Sequence, residues 1–207
     1  MTDQPNLDAL VIRHIADIEG GMRHAKEVID PRLWEEAAEI VLTRIDDSTW
    51  YGFADAEDQA IWIAKKAWLR PDASPVDADF FILLDEGASE NGHGENSWLA
   101  SFTGAGTDPA TTVLSFSQDV LNDGPWKKLL KTHPQVVDAI IAKRFIYDVR
   151  AGSLSIPMVI DRETLATAFE DEEFGAAFEP LAQAVDTVIA AEAELDALVD
   201  LARAAAA

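Results

Sequence analysis

One segment of the chain gathers side chains of the types that bind metal ions. Residues 85–96 contain five candidate ligands, Asp85, Glu86, Glu90, His93 and Glu95, among three glycines. Several carboxylates suit a hard divalent cation, and an imidazole beside them would suit zinc or manganese. A metal site must hold its ligands still, whereas glycine-rich backbone favours motion. We therefore interpret this segment as a flexible loop without a cofactor, and a metal-dependent enzyme that uses a divalent cation there is the alternative.

A tryptophan followed by two lysines is the second group with binding chemistry. Trp126, Lys127 and Lys128 lie near the start of an expected helix, where an exposed aromatic side chain would anchor an interface. The two bases would suit phosphate or RNA, but the net charge of −22 opposes direct binding of nucleic acid. We therefore expect this segment to dock against acidic helices of the same chain, and we retain its three residues as candidate interaction residues.

Motifs of several catalytic classes are absent from the sequence. The chain contains no Cys, which excludes disulfides, thiolate zinc sites and cysteine nucleophiles. It has no GxxxxGK[ST], HExxH or GxSxG motif. Gly104-Ala105-Gly106 lacks the third glycine and the following helix of a dinucleotide-binding loop, so we interpret it as a turn. The sequence therefore names no reaction.

Charge is segregated along the chain. Residues 71–126 contain ten acids and no Lys or Arg, residues 127–150 contain six bases and two acids, and residues 151–207 contain twelve acids and two bases. We expect the acids to form a contiguous surface and the bases to pair internally or lie on another face. Such a surface favours a basic protein partner, in the sharpest case as a mimic of nucleic acid.

Two features bear on location. The first residues lack the charged and apolar regions of a secretory signal, and no apolar run reaches the length of a membrane span. These features predict a cytoplasmic protein with no membrane partner.

The first part of the chain, residues 1–70, is expected to be helical. Leu7, Val11, Ile15, Ile18, Met22, Ala25 and Ile29 form one stripe at spacings of three and four, with a kink expected at Gly20-Gly21. Asp30-Pro31 predicts the N-cap and first turn of a second helix. Asp55 predicts the cap of a third helix, which contains Ile61, Trp62 and Trp68.

The period then changes to that of strands, over residues 79–117. The apolar run from Phe80 to Leu84 predicts a strand covered on both faces. Residues 97–103 and 111–117 alternate, which predicts two further strands of an antiparallel meander. A fourth strand is expected at Leu154–Ile160, and Pro157 would place it at an edge because proline cannot donate to a ladder.

Residues 125–207 are expected to be helical apart from that strand. Helices are predicted from Pro125 and from the Thr132–Gln135 capping box, and Asp161 is expected to cap another. Leu181, Val185, Val188, Leu195 and Val199 form a final stripe that resembles a coiled-coil seam. The stripe either packs on the core of this chain or pairs two copies, and we retain Leu181, Val185 and Val188 as candidate dimer residues.

Together the patterns predict an α+β protein with one domain over residues 1–207, built on a small antiparallel sheet of about four strands flanked by N-terminal and C-terminal helices. The composition favours a non-enzymatic interaction or regulatory protein that presents carboxylates to a basic protein partner. The metal-dependent enzyme using residues 85–95 is the alternative.

Overall fold

The computed structural model describes residues 4–46, 48–55, 60–70, 78–86, 97–105 and 112–206. The first helices are α1 (Gln4–Arg13), α2 (Ile15–His24), a π-helical turn (Ala25–Ile29) and α3 (Asp30–Arg44). They are followed by β1 (Trp50–Asp55), β2 (Ala60–Lys65), a 3-10 turn (Lys66–Trp68), β3 (Phe80–Glu86), α4 (Trp98–Thr103) and β4 (Thr112–Gln118). The last elements are α5 (Asp123–Thr132), α6 (Pro134–Ile141), β5 (Ile146–Asp148), β6 (Ser153–Met158), α7 (Arg162–Asp171), α8 (Glu179–Ala190) and α9 (Glu192–Ala206).

The described strands form one sheet in the order β1-β2-β3-β4-β6-β5, and every neighbouring pair is antiparallel. The predicted α+β class, with helices flanking an antiparallel sheet, is confirmed. Within the described residues the sheet has six strands, where the sequence predicted about four. Strands β3, β4 and β6 lie where strands were predicted, whereas β1, β2 and β5 were not predicted.

The segment that contains Ile61 and Trp62 is strand β2, so the prediction of a third helix is wrong. Ile61, Trp62, Ile63 and Ala64 are all buried, which means that both faces of the strand are covered. A short apolar run of this kind cannot be distinguished from a buried helix by its periodicity. β-branched and aromatic residues favour the strand, and pairing with β1 and β3 occupies its backbone groups.

Residues 98–103 form helix α4, so the prediction of a strand over 97–103 is also wrong. Ser97 caps this helix, because its Oγ accepts a hydrogen bond from the Ala100 N–H at 3.2 Å. Gly104 ends it in the left-handed conformation, with φ of 59°, as is common at helix C-termini. The local capping residues outweighed the alternating pattern.

Strand β6 lies between β4 and β5, so its predicted position at the edge of the sheet is wrong. The pairing with β5 covers Ser153, Leu154 and Ser155 only, whereas the pairing with β4 continues to Met158. Pro157 therefore lies where, among the described residues, the strand is paired on one side. A proline is tolerated in a sheet at such a local edge.

The core lies between one face of the sheet and the helices. Alternate strand residues on this face are buried, namely Ile61, Ile63, Phe80, Ile82, Leu84, Leu114, Phe116, Leu154, Ile156 and Met158. Helix α3 contacts β1, β2 and α8, and α8 contacts β6. These contacts hold α3 and α8 against the sheet.

The N-terminal helices break at a different residue from the one predicted. His14 separates α1 from α2, with φ of −111° and ψ of 16°, whereas Gly20-Gly21 lies inside α2. Asp30 does not cap a separate helix either. It continues directly from the π-helical turn into α3, so its carboxylate is available to another element.

Candidate partner-binding pocket

The predicted metal ligands are not brought together in the part of the chain that the structure describes. Asp85 is half-buried near the end of β3, opposite Val113 of β4, and Glu86 is the last residue of that strand. Glu90, His93 and Glu95 lie outside the described residues. Within the described ranges, no three His, Asp or Glu side chains are grouped so that they could hold a metal ion.

Trp126 is a core residue, which corrects its assignment as an interaction residue. Its ring stacks on Phe116 with a centroid distance of 6.1 Å, and its Nε1–H donates to the Gly152 carbonyl at 2.8 Å. Only 7% of the residue is exposed. Lys127 is half-buried and lies over Gly152, while Lys128 is exposed on α5. A partner would therefore meet only the lysines of this group.

The C-terminal stripe is divided between two helices, because α8 ends at Ala190 and α9 begins at Glu192. Leu181, Val185 and Val188 of α8 are 0% exposed, and Leu195 and Val199 of α9 are also buried. The stripe therefore packs on the core of this chain, one of the two arrangements that the sequence allowed. This burial removes all three α8 residues from the candidate dimer surface.

The described residues form an apolar pocket that sequence reasoning missed. It has a volume of about 540 Å³ and is lined by residues of the π-helical turn, of α4 with its flanks, and of α7. These residues are Ile29, Ser97, Leu99, Ala100, Thr103, Ala105, Arg162, Leu165, Ala166 and Phe169. Pockets that bind small molecules have this size and this mainly apolar lining with few polar groups.

Asp30 holds α4 at the wall of the pocket. Its Oδ1 accepts a hydrogen bond from the Leu99 N–H at 2.9 Å, although Asp30 belongs to α3. Burial raises the pKa of the Asp30 carboxyl, while hydrogen bonds from the backbone N–H groups of Leu99 and Trp98 and the nearby Lys26 act to lower it. The carboxylate also lies at the positive end of a helix, where negative charge is favoured.

The other side of α4 is fixed by apolar contacts and one backbone hydrogen bond. Phe102 is completely buried and meets Phe178 edge to face at 5.5 Å. The Phe102 carbonyl accepts a hydrogen bond from the Ile160 N–H at 2.7 Å. Ile160 lies two residues before α7, so this bond ties both helical walls of the pocket to each other.

Helix α7 supplies a second wall of the pocket. Asp161 caps this helix as predicted, because its Oδ1 accepts a hydrogen bond from the Thr164 N–H at 2.9 Å. Arg162, Leu165, Ala166 and Phe169 all line the pocket. Their spacing of three, four and seven residues places them on one side of the helix.

Acidic side chains lie directly beside this apolar wall. Glu163 and Glu170 are exposed and are the i−3 and i+4 neighbours of Ala166, so all three share one strip of the helix surface. Exposed Asp171, Glu172 and Glu173 follow at the C-terminal end of α7. Negative charge is unfavourable at a helix C-terminus, and Glu172 adopts a positive φ of 58° that is uncommon for residues other than glycine. Helix stability therefore does not explain these acids.

Two local signals for the pocket were present in the sequence. Ser97 and Gly104 are a typical N-cap and C-terminal glycine for a short helix, and Asp161 marked the start of α7. No local signal placed Ile29 beside Phe169, because these residues are 140 positions apart.

Comparison of the chain with protein-family models, with curated proteins and with solved structures gave no match. None of the helices in the described ranges has the length and apolar character that crossing a bilayer requires.

Proposed function

We propose that this chain is a non-enzymatic interaction or regulatory protein that binds a basic protein partner through its carboxylate-rich surface. The observation that carries the proposal is the apolar pocket beside exposed acids on α7. An apolar side chain of the partner would enter the pocket, and neighbouring Lys or Arg residues would face Glu163 and Glu170. This arrangement resembles the anatomy of many protein interfaces, in which an apolar centre is surrounded by a polar rim.

The charge distribution supports a basic partner. Several described bases are already paired within the chain: Lys65 with Glu192 and Asp196, Arg44 with Asp186, and Lys143 with Glu194. The total of 38 acids against 16 bases leaves a large negative excess. An excess of this size attracts basic proteins over long range and repels nucleic acid and anionic membranes.

Arg162 gives the pocket one positive group at the start of α7. Its guanidinium carries N–H donors only, so it would bind a carbonyl or carboxylate of the partner. The partner segment would therefore offer an apolar anchor, flanking bases on the side of Glu163, and an acceptor on the side of Arg162. A cytoplasmic location is part of the same proposal.

The proposal is tested by affinity capture from a cell extract at low and high salt. The immobilised proteins are the wild type, Ala166→Trp, which fills the pocket from an exposed position, and Ala197→Trp, which places the same side chain at an exposed position on α9. We expect a basic protein to bind the wild type and Ala197→Trp at low salt. It should be lost with Ala166→Trp and weakened at high salt, because salt screens exposed charges.

The charge contribution is measured with Glu163→Gln/Glu170→Gln, which keeps the pocket and removes two carboxylates. We expect this variant to weaken capture at low salt more than at high salt. Capture that is equally strong for Ala166→Trp and Ala197→Trp, or that increases with salt, would contradict the proposal.

A further inference from the structure

Residues 4–29, which comprise α1, His14, α2 and the π-helical turn, form a helical segment that we call the arm. Large apolar side chains of the arm are exposed: Leu7, Leu10, Ile12, Ile15, Met22 and Val28. Ile12 is 73% exposed and Met22 is 67% exposed, and no residue of α2 is buried. The described body of this chain therefore leaves the apolar surface of the arm uncovered.

The spacing of apolar residues in the arm is that of paired helices. Val11, Ile15, Ile18, Met22 and Ala25 follow one another at intervals of four, three, four and three residues. Within α2 this average spacing of 3.5 residues places Ile15, Ile18 and Met22 along one seam, whereas Val11 lies before the break at His14 and Ala25 lies in the π-helical turn. Stripes of this kind are covered either by the core of the same chain or by another helix. Within the described residues, the core of this chain does not cover α2.

The helical conformation of α2 also indicates that another helix packs against it. Gly20 and Gly21 each weaken a helix by about 1 kcal/mol relative to alanine. No described atom lies within 4 Å of the position that a Cβ would take at either glycine, so a close packing contact does not explain them. In water a short helical segment gains most of its stability from packing of its apolar face. A second apolar helix would supply that packing.

The net charge of the arm favours the arm of a second copy as the helix that packs against it. Residues 4–29 contain four acids and three bases, a net charge of −1, so the rest of the chain carries −21 of the total of −22. A basic partner is attracted to the body and gains little charge complementarity from the arm. A nearly neutral, apolar surface suits another surface of the same kind, and the arm of a second copy is one.

We propose that two copies of this chain form a homodimer by pairing their arms along the Ile15–Met22 seam of α2. The two acidic bodies repel each other, and pairing through the arms leaves the bodies outside the interface. Added salt screens this repulsion, so dimerisation strengthens as salt increases. Binding of a basic partner in the pocket weakens with salt, so the two interactions have opposite salt dependence.

The test measures the mass of the full chain by light scattering across protein concentration at low and high salt. Two variants are compared with the wild type: Ile15→Glu in the seam, and Ile141→Glu on α6 as the matched control. Ile15 is 47% exposed and Ile141 is 40% exposed, so neither change disturbs a buried side chain. We expect a dimer of the wild type and of Ile141→Glu, and at least tenfold weaker dimerisation of Ile15→Glu.

A second readout follows the helix itself. Because α2 gains packing only when two arms pair, far-ultraviolet circular dichroism should show helicity that increases with protein concentration in the wild type. It should be independent of concentration in Ile15→Glu. Thermal melting of the dilute proteins checks that the body of each variant folds.

Four outcomes would overturn the proposal. They are a wild-type monomer at every concentration, a dimer of unchanged affinity in Ile15→Glu, equal loss of the dimer in Ile141→Glu, and a dimer that weakens with salt. A monomer that binds vesicles of a neutral phospholipid, with loss of binding in Ile15→Glu, would assign the arm to a membrane surface instead.

Discussion

The Asp30 carboxylate accepts a hydrogen bond from the backbone N–H of Leu99, 69 residues further along the chain, at 2.9 Å. This bond joins the beginning of α3 to the beginning of α4. It also lies next to the pocket, because Leu99 and Ile29 both line it. The position of a pocket wall therefore depends on one buried acceptor.

The first prediction concerns this acceptor. Asp30→Ala removes it and leaves the half-buried Leu99 N–H without this partner, which should lower the free energy of unfolding by about 1–2 kcal/mol. Asp30→Asn keeps an oxygen acceptor and carries no charge, so at pH 7 it should be at least as stable as the wild type. Denaturant unfolding of both variants gives the comparison.

The Asp30 carboxyl should also make the free energy of unfolding depend on pH. Burial raises the pKa of Asp30 in the folded state above its ordinary 3.8, so the folded state binds the proton more tightly than the unfolded state. The contribution of Asp30 to stability therefore falls as pH rises from 3.8 through the folded pKa. Asp30→Asn should lack this fall. Parallel curves of unfolding free energy against pH for the wild type and Asp30→Asn would contradict the assignment.

A second prediction concerns the ion pairs that tie β2 to α9. The Lys65 ammonium lies 2.6 Å from Asp196 Oδ2 and 2.7 Å from Glu192 Oε1, and Trp68 Nε1 donates to Asp196 Oδ1 at 2.9 Å. Asp196→Asn should destabilise the protein by about 1–2 kcal/mol, because the nearly buried ammonium loses one of its two anions. Asp200→Asn, at an exposed position on the same helix, is the control and should change stability by less than about 0.5 kcal/mol.

These ion pairs also act at alkaline pH. Burial acts to lower the pKa of Lys65, but the hydrogen bonds and charges of Asp196 and Glu192 outweigh it and raise the pKa above its ordinary 10.5. The stabilisation is complete below pH 10.5 and is lost as pH rises through the folded pKa. The melting temperature of the wild type should fall more steeply above that pH than that of Asp196→Asn. An equal slope would show that Lys65 does not contribute.

A third prediction separates core packing from partner contact at Trp126. Trp126→Phe removes the donor to the buried Gly152 carbonyl and leaves a cavity, so the free energy of unfolding should fall by about 1.5–3 kcal/mol. Lys128→Ala on the exposed side of α5 should change it by less than about 0.5 kcal/mol. Unchanged stability of Trp126→Phe in denaturant unfolding would show that this side chain does not support the core.

A fourth prediction tests the metal alternative. If the 85–95 segment bound a divalent cation, chelator would lower the melting temperature and restored metal would raise it, because a ligand bound only by the folded state stabilises that state. We expect no change. A reproducible shift of several degrees that disappears in His93→Ala would favour a metal-dependent enzyme over an interaction protein.

Local sequence determined several elements. Asp161 caps α7 because a carboxylate placed before a helix binds its free N–H groups, whatever the rest of the fold does. The apolar run from Phe80 to Leu84 forms strand β3 as predicted, but Phe81 and Leu83 are only half-buried, so the prediction that both faces of this strand are covered is wrong. In contrast, the predictions for the segments that form β2 and α4 were wrong, because a short segment can match both the helical and the strand periodicity.

Two apolar stripes of the chain have similar spacing but differ in burial. Leu181, Val185 and Val188 have the same type of spacing as Ile15, Ile18 and Met22. The first set is completely buried, whereas Ile15 and Met22 are exposed. Periodicity reports which side chains share one face of a helix, because that depends on the rise and turn of the backbone. Whether another element covers that face depends on contacts between residues far apart in the chain, and the sequence pattern carries no information on those contacts.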